Sequence, residues 1–457
     1  MRRTLAAFAE SCGGTLRGSD RTFAAVSTDT RSIDRDDLFV ALRGDNFDGN
    51  TFVDAACAAG AAGVVVDRPT AITSAHCSTI QVADTLLALQ QAAVSWRHDH
   101  TLLLVGVAGS NGKTTVKEMI ANILSQSANT LATRGNLNNH IGVPLTLLRL
   151  TESDRYAVIE MGANRAGDVA QLVGFARPNV GVVTNAGAEH LEGFGSLEAV
   201  ARAEGEMFAG LDPGATAVIN ADDAYAALWR NMTRARVITF GLDAAALVRA
   251  ENVRSSFDAQ GFTTHFVIIA PSGRTNIALR LAGMHNVTNA LGAAAAAIAV
   301  GASLPDVARG LAKMQPVAGR LQCKAARNGA VIIDDSYNAN PSSMFAAIDV
   351  LASLPGPRWL AIGDMAELGD HAQKSHVELG KRARANGIER LYAVGPLSTL
   401  SVEAFGIGAQ WFPDGETLAR ALECDLTPEV RLLIKGSRVN RLERVVDALV
   451  GQTRKAG

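Results

Sequence analysis

The stretch 102–120, LLLVGVAGSNGKTTVKEMI, constrains the fold of this chain more than any other. An apolar run from Leu102 to Val107 enters a turn holding Gly109 and Gly112. A helical pattern begins after Lys113, Thr114 and Thr115. Buried strand, glycine turn and helix N-terminus in that order make an anion cradle, because backbone N–H groups and the positive end of the helix dipole converge on one point. A lysine at the mouth reaches the β- and γ-phosphates of a nucleotide, and the threonine hydroxyl can ligate Mg²⁺. The common phosphate-loop spacing puts a glycine five residues before the Gly-Lys pair. Val107 stands there in this chain, and Gly109 stands three before Gly112. Gly109, Ser110, Asn111, Gly112, Lys113, Thr114 and Thr115 are therefore expected to cradle a phosphate in a loop of unusual spacing.

A phosphate loop needs a parallel sheet behind it, and the flanking sequence supplies one. YAVIEMG (156–162), VGVVTNAG (180–187) and ATAVIN (215–220) are apolar, β-branched runs, each followed by a helical pattern. That alternation is the signature of parallel strands with helices on both faces. From about Arg249 to Leu281 the pattern changes to that of an antiparallel meander. After a break at MQPVAGR (314–320), a further strand and helix series begins: AVIIDD, RWLAIGDM, RLYAVG and VRLLIKGS. Before the loop, FVAL and GVVVD read as short buried strands around the helical FVDAACAAGA. A chain of 457 residues is too long for one core. The pattern divides it at 1–83, 84–313 and 314–457, with substrate sites expected between the units. The Ala-rich stretch 290–300 is too short to span a bilayer and reads as a close-packed interior helix.

The totals narrow the function. A formal net charge of −2 provides no field for nucleic acid or an anionic membrane, so any anion site must be local. The five cysteines (Cys12, Cys57, Cys77, Cys323, Cys424) show no metal-ligand or redox spacing, which predicts reduced thiols in a cytoplasmic protein. The apolar run of MRRTLAAFAESCGG is broken at Glu10, so no signal peptide is expected.

Further segments then fall in a telling order. They are TRGNLNNHIGVPLTLL (133–148), VIEMGANRAGDVAQL (158–172), NAGAEHLEGFGS (185–196), GMHNVTNALGAA (283–294), IDDSYNANPSS (333–343), GDMAELG (363–369) and LIKGSR (433–438). With the loop A-G-S-N-G-K-T-T, the chain resembles the Mur ligases and folylpolyglutamate synthetases. GNLNNHIGVPLT and DDSYNANPSS make it similar to the MurF family in particular, over essentially the whole length. The resemblance implies an α/β fold in three domains: a small N-terminal UDP-sugar-binding domain, a central ATP-binding domain with a phosphate loop on a parallel sheet, and a C-terminal Rossmann-like domain. It implies ATP-dependent joining of D-alanyl-D-alanine to UDP-N-acetylmuramoyl-tripeptide, with Mg²⁺; a cytoplasmic protein is the expectation that goes with the cysteine reading, and a monomer is expected. Nucleic acid and membrane insertion have no place in it. Two other readings stay open: a sister ligase of the Mur or folylpolyglutamate type, and a nucleotide-binding module without ligase activity.

The same resemblance assigns residues. Glu160 ends a strand beside the loop, where carboxylates can hold Mg²⁺, and it is the expected magnesium ligand together with Thr114. His190 is expected at a second metal ion. Glu204, in ARAEGEMF, stands where the family usually has a carbamylated lysine, and its carboxylate is expected to substitute for that anion. Lys113 and Arg320 would neutralise the transferred phosphoryl group. Asn286 and Asn289 would meet the adenine, and Asp335 the ribose, with Asn338 and Asn340 shaping the site. Asn136, Asn138 and Asn139 offer uncharged amides to peptide or sugar, although such clusters also mark turns. Ser27, Thr30, Arg31, Arg43 and Asp48 are candidates for the uridine nucleotide, where arginine suits a diphosphate. Lys435 and Arg438 are placed to hold a carboxylate.

Overall fold

The computed structural model describes residues 4–44, 47–69, 77–188, 191–258 and 261–451. Its frame is three sheets in chain order. The first has five strands, ordered Thr15–Arg17, Ser78–Gln81, Gly63–Val66, Leu38–Val40, Val26–Ser27. All pairings in it are parallel except that of Thr15–Arg17 with Ser78–Gln81.

The central sheet has nine strands. The loop strand Leu103–Ala108 lies inside it, between Tyr156–Glu160 and Val180–Val183, both parallel to it. Helices cover both faces of these strands. Their side chains are therefore buried without alternation, as the continuous apolar runs require. Toward the far edge, Val248–Asp258, Gly261–Ala270 and Gly273–Leu279 form the antiparallel meander that the changed periodicity indicated. The third sheet has six strands and is parallel apart from its edge strand Gln322–Ala325.

Two packing choices aim this frame at the loop. Gly106 and Gly181 are register partners on neighbouring strands, and a Cβ on either would press against Met207 at 3.0 and 2.9 Å. The missing side chains let the helix Leu197–Ala209 lie close to the sheet, which carries Glu204 to the start of the loop. On the opposite face, Ala290 and Ala293 to Ala297 of the helix Met284–Ala299 are fully buried against the loop helix Lys113–Leu124 and the sheet. Small side chains permit that approach. Among the described residues no helix is long and apolar enough to cross a membrane.

The cysteine expectation needs correction. Cys57 and Cys77 form a disulfide, with Cα atoms 5.6 Å apart. Cys57 ends a turn of the helix Val53–Ala58, and Cys77 directly precedes the strand Ser78–Gln81. Their sequence separation of 20 matches no short motif, so only the fold brings them together. Cys12, Cys323 and Cys424 are free.

Candidate active site

The phosphate loop is held open by two glycines and a set of polar braces. Gly109 has φ +121°, and a side chain there would collide with Thr184. Gly112, at φ +84°, is the left-handed N-cap of the helix Lys113–Leu124. Only glycine takes both positions without strain. Outer hydrogen-bonding groups of the loop are already paired. Thr184 Oγ1 and Asn185 Nδ2 donate to Asn111 O at 2.6 and 2.9 Å, and Asn111 N donates to Asn185 Oδ1 at 3.1 Å. Gly187 N donates to Ser110 Oγ at 2.8 Å. Lys113 Nζ lies over the loop, donating to Ser110 O at 3.0 Å and to Gly109 O. The first turn of the loop helix keeps N–H groups that have no acceptor within the helix, which is the anion-binding end of such a loop.

Glu160 and Thr114 come together as expected. Thr114 Oγ1 donates to Glu160 Oε1 at 3.3 Å, and Asn138 Nδ2 donates to the same oxygen at 2.9 Å. The other oxygen, Oε2, is buried without a hydrogen-bond partner, in a residue only 3% exposed. A buried carboxylate oxygen without a donor is costly unless a cation sits against it. This oxygen, beside a threonine hydroxyl at the mouth of a phosphate loop, fits a hard divalent ion. The backbone of Glu160 is fixed from behind, since its N–H donates to Thr133 Oγ1 at 3.0 Å. Lys117, 1% exposed, donates to Thr133 O at 2.8 Å and pairs with Glu118 at 2.6 Å.

The second-metal expectation rests on Glu204 and His190. Glu204 is 5% exposed, and its Oε2 accepts the Gly109 N–H at 2.7 Å, so the carboxylate braces the loop backbone. Among the described residues no group of three or more His, Cys, Asp or Glu side chains is assembled around one point. His190 lies outside the described residues.

The third domain reaches the loop directly. Arg320 Nη2 donates to Thr114 Oγ1 at 3.3 Å. Asn340 caps the helix Pro341–Ala352 with its Oδ1, and its Nδ2 donates to Asn111 Oδ1 at 2.8 Å. Asn111 Nδ2 donates in turn to Ser342 Oγ at 3.1 Å. A cavity of about 270 Å³ opens between the loop and this helix, lined by Lys113, Thr114, Glu160, Arg320, Asn340 and the three amides Asn136, Asn138 and Asn139. Asn139 also holds the turn ahead of the helix Gly142–Leu147, accepting from Ile141 N at 3.1 Å and Gly142 N at 2.8 Å, so turn-making and lining coexist in one side chain.

A larger cavity, about 350 Å³, adjoins it and takes in Gly112, Thr115, Asn286, Asn289, Asp335 and His285. Asn289 Nδ2 donates to Asn286 Oδ1 at 3.1 Å, and Asn286 Nδ2 donates to Ala282 O at 2.8 Å. Withdrawal from solvent pushes the His285 imidazole down to about 4, so it is neutral near pH 7. Asp335 and Lys435 form an inward ion pair of 2.7 Å, and Lys435 also donates to Asn338 O at 2.8 Å. Lys435 thus secures Asp335 and the Asn338 loop while lining both cavities. Arg438 is exposed and lines a neighbouring cavity of about 200 Å³.

The first-domain candidates are not part of this assembly. Arg31 pairs with Asp29 at 2.6 Å, and that bond holds the Asp29 carboxyl at about 2. Ser27 Oγ accepts the Asp29 N–H at 3.2 Å, and Thr30 lies in the same turn. Asp48 pairs with Arg68 at 2.6 Å, and Arg43 pairs with Asp67 at 3.2 Å. None of the five lines the cavities described above. Sequence reasoning passed over Thr184, Asn185, Ser342 and Tyr337. Asn185, Ser342 and Tyr337 sit inside motifs that carried the resemblance and Thr184 directly precedes one, but hydroxyls, amides and rings in turns have too many ordinary uses to stand out.

Comparison with known proteins agrees with this geometry. Residues 22–97 match the Mur ligase family catalytic domain, 107–297 the Mur ligase middle domain, and 319–438 the Mur ligase glutamate ligase domain. The chain is 43% identical over 449 residues to the UDP-N-acetylmuramoyl-tripeptide–D-alanyl-D-alanine ligase of Escherichia coli strain K12, covering 98% of each. A crystal structure of MurF from Acinetobacter baumannii superposes with TM-score 0.90 at 32% identity over 99% of each chain. MurF from Thermotoga maritima, solved in complex with ADP, superposes with TM-score 0.82 at 27% identity, over 93% of this chain and 97% of that one. A phosphate loop clasped by its third domain, on a three-sheet frame matched from end to end, places this chain in the MurF family of the Mur ligases.

Proposed function

We propose that the chain is an ATP-dependent ligase that joins D-alanyl-D-alanine to UDP-N-acetylmuramoyl-tripeptide, releasing ADP and phosphate, in peptidoglycan precursor synthesis. The observation that carries this reading is the single cavity where Lys113, Thr114 and Glu160 meet Arg320 of the third domain. A carboxylate is a poor electrophile, so amide formation needs its oxygen turned into a leaving group. One carboxylate oxygen of the tripeptide attacks the γ-phosphorus, the bond from that phosphorus to the bridging oxygen breaks, and ADP leaves. The dipeptide amine then attacks the acyl carbon, loses a proton, and expels phosphate. The protein contributes position and charge neutralisation, as in other phosphoryl transfers.

In this assignment Lys113 and Arg320 lie either side of the transferred group. Thr114 and the unpartnered Oε2 of Glu160 would hold Mg²⁺, which neutralises phosphate charge when bound. Asn138 orients the Glu160 carboxylate, and Glu204 fixes the first turn of the loop. Asn286, Asn289 and Asp335 line the space for the nucleoside, with His285 as a neutral wall. Ser27, Thr30, Arg31, Arg43 and Asp48 are assigned to the uridine nucleotide, and the domain boundaries to residues 83 and 313. We infer a cytoplasmic monomer.

The test is phosphate release from ATP in the presence of UDP-N-acetylmuramoyl-tripeptide. Release that requires D-alanyl-D-alanine is expected. Release with a single amino acid in its place would move the chain to a sister ligase. ATP binding without release would leave a nucleotide-binding module.

A further inference from the structure

Two arginines share one aromatic ring at the centre of the site. The Arg320 guanidinium lies 4.5 Å from the centroid of the Tyr337 ring, and the Arg438 guanidinium lies 5.4 Å from it. Cation and ring attract electrostatically at such distances. The ring is itself anchored to the turn that bears Arg320. Tyr337 N donates to Gly319 O at 3.1 Å, and a Cβ on Gly319 would press on Tyr337 Cβ at 3.2 Å. Arg320 faces the phosphate loop through Thr114, while Arg438 lines the smaller cavity of about 200 Å³. Tyr337 lines both that cavity and the one of about 270 Å³ at the loop.

The reaction needs these two spaces to be neighbours. The acyl phosphate forms beside Lys113 and Arg320, and the amine must reach its carbon from an adjoining pocket. The amine belongs to a dipeptide whose other end is a carboxylate, and arginine is the natural partner for that group. We propose that Tyr337 is a positioning residue. Its ring holds Arg320 toward the transferred phosphoryl group and Arg438 toward the acceptor carboxylate, fixing the distance between the two halves of the reaction. Two like charges would otherwise repel and swing on flexible stems, and contact with one ring gives both a fixed reference. The proposal rests on the ligase reading above.

The experiment is steady-state phosphate release by the full chain, with KM for ATP and for D-alanyl-D-alanine measured separately, and ADP affinity and melting temperature alongside. Tyr337→Leu and Tyr337→Met remove the ring, Tyr337→Phe keeps it, and Arg438→Ala removes one client. The ring-less variants are expected to lower kcat and raise the dipeptide KM by about tenfold each, a factor of ten being one cation–π contact's worth. Their ADP affinity should stay within about threefold of the native value, which a general loss of structure would not allow. Tyr337→Phe should recover most of the loss. Arg438→Ala combined with Tyr337→Leu should raise the dipeptide KM little beyond Arg438→Ala alone, because the two act through one contact. Unchanged kinetics in both ring-less variants would overturn the proposal, as would a Tyr337→Phe defect equal to that of Tyr337→Leu, or fully additive effects. Tyr337→Met fills much of the ring volume and serves where Tyr337→Leu unfolds. A native protein with no dipeptide-dependent release fails at the first control and overturns the ligase reading together with this one.

Discussion

Two arginine-bearing regions of the molecule, the phosphate-loop site and the first domain, are built on opposite terms. Around the phosphate loop, polar side chains are fixed by partners distant in sequence: Arg320 with Thr114 and Asn340 and Ser342 with Asn111 across two domains, and the buried Glu204 with Gly109 within the central one. In the first domain, polar side chains pair with near neighbours on the surface: Arg31 with Asp29 and Asp48 with Arg68. The first arrangement is preorganised and would lose activity wherever it is cut. The second is satisfied by exposed ion pairs that cost little to break, so its groups are available for exchange with a ligand. A site that performs chemistry needs fixed charges, whereas a site that collects a large substrate can tolerate mobile ones.

Mutations should separate the two regions by size of effect. Lys113→Ala is expected to reduce phosphate release about a thousandfold, since it removes the fixed cation at the phosphates. Residual activity within tenfold of native would break the comparison at its strongest point. Glu160→Gln should lower kcat about a hundredfold and raise the Mg²⁺ needed for half-maximal rate at least about tenfold, read from a magnesium titration. Glu204→Ala leaves the buried Gly109 N–H without that acceptor. It should cost about 1–3 kcal/mol in a denaturant titration and raise the ATP KM about tenfold.

The next effect is on pH dependence. The His285 imidazole falls from its ordinary 6.5 to about 4 through loss of solvent, so the unfolded chain binds the extra proton between those values. Stability should therefore decline as pH drops from 6.5 toward 4, and His285→Gln should flatten that decline in thermal melts. Arg31→Ala should be mildest. It removes an exposed, solvent-screened pair, leaves kcat near native, and raises the KM of the uridine substrate by about tenfold or less. A large stability loss here would mean that the first-domain pairs are structural and would erase the contrast.

The contrast also explains what could be read from the chain. The loop strand, its helix and the strand ending at Glu160 were legible because backbone geometry, hydrophobic run and charge all pointed one way. The meander from 248 to 279 announced itself by its change of period. Glu204 was legible as an odd residue in a familiar place, but its bond to Gly109 depends on Gly106 and Gly181 admitting a helix against the sheet. No local pattern encodes that approach. The pairing of Lys435 with Asp335 was hidden because the two lie 100 residues apart and meet only as register partners on neighbouring strands. The Cys57–Cys77 bond was hidden for the same reason.

The hydrogen bonds between Asn111 and the third domain have a consequence for the order of events. Asn111 belongs to the phosphate loop, so the position of Asn340 and Ser342 is a condition on the loop's own shape. Wherever occupancy of the loop favours the docked third domain by some factor, docking raises the affinity of the loop's occupant by the same factor. The coupling runs in both directions. Under the proposed function, each hydrogen bond that still holds Asn111 after the reaction would oppose the departure of ADP, so the contact that completes the loop would also be one that product release has to break.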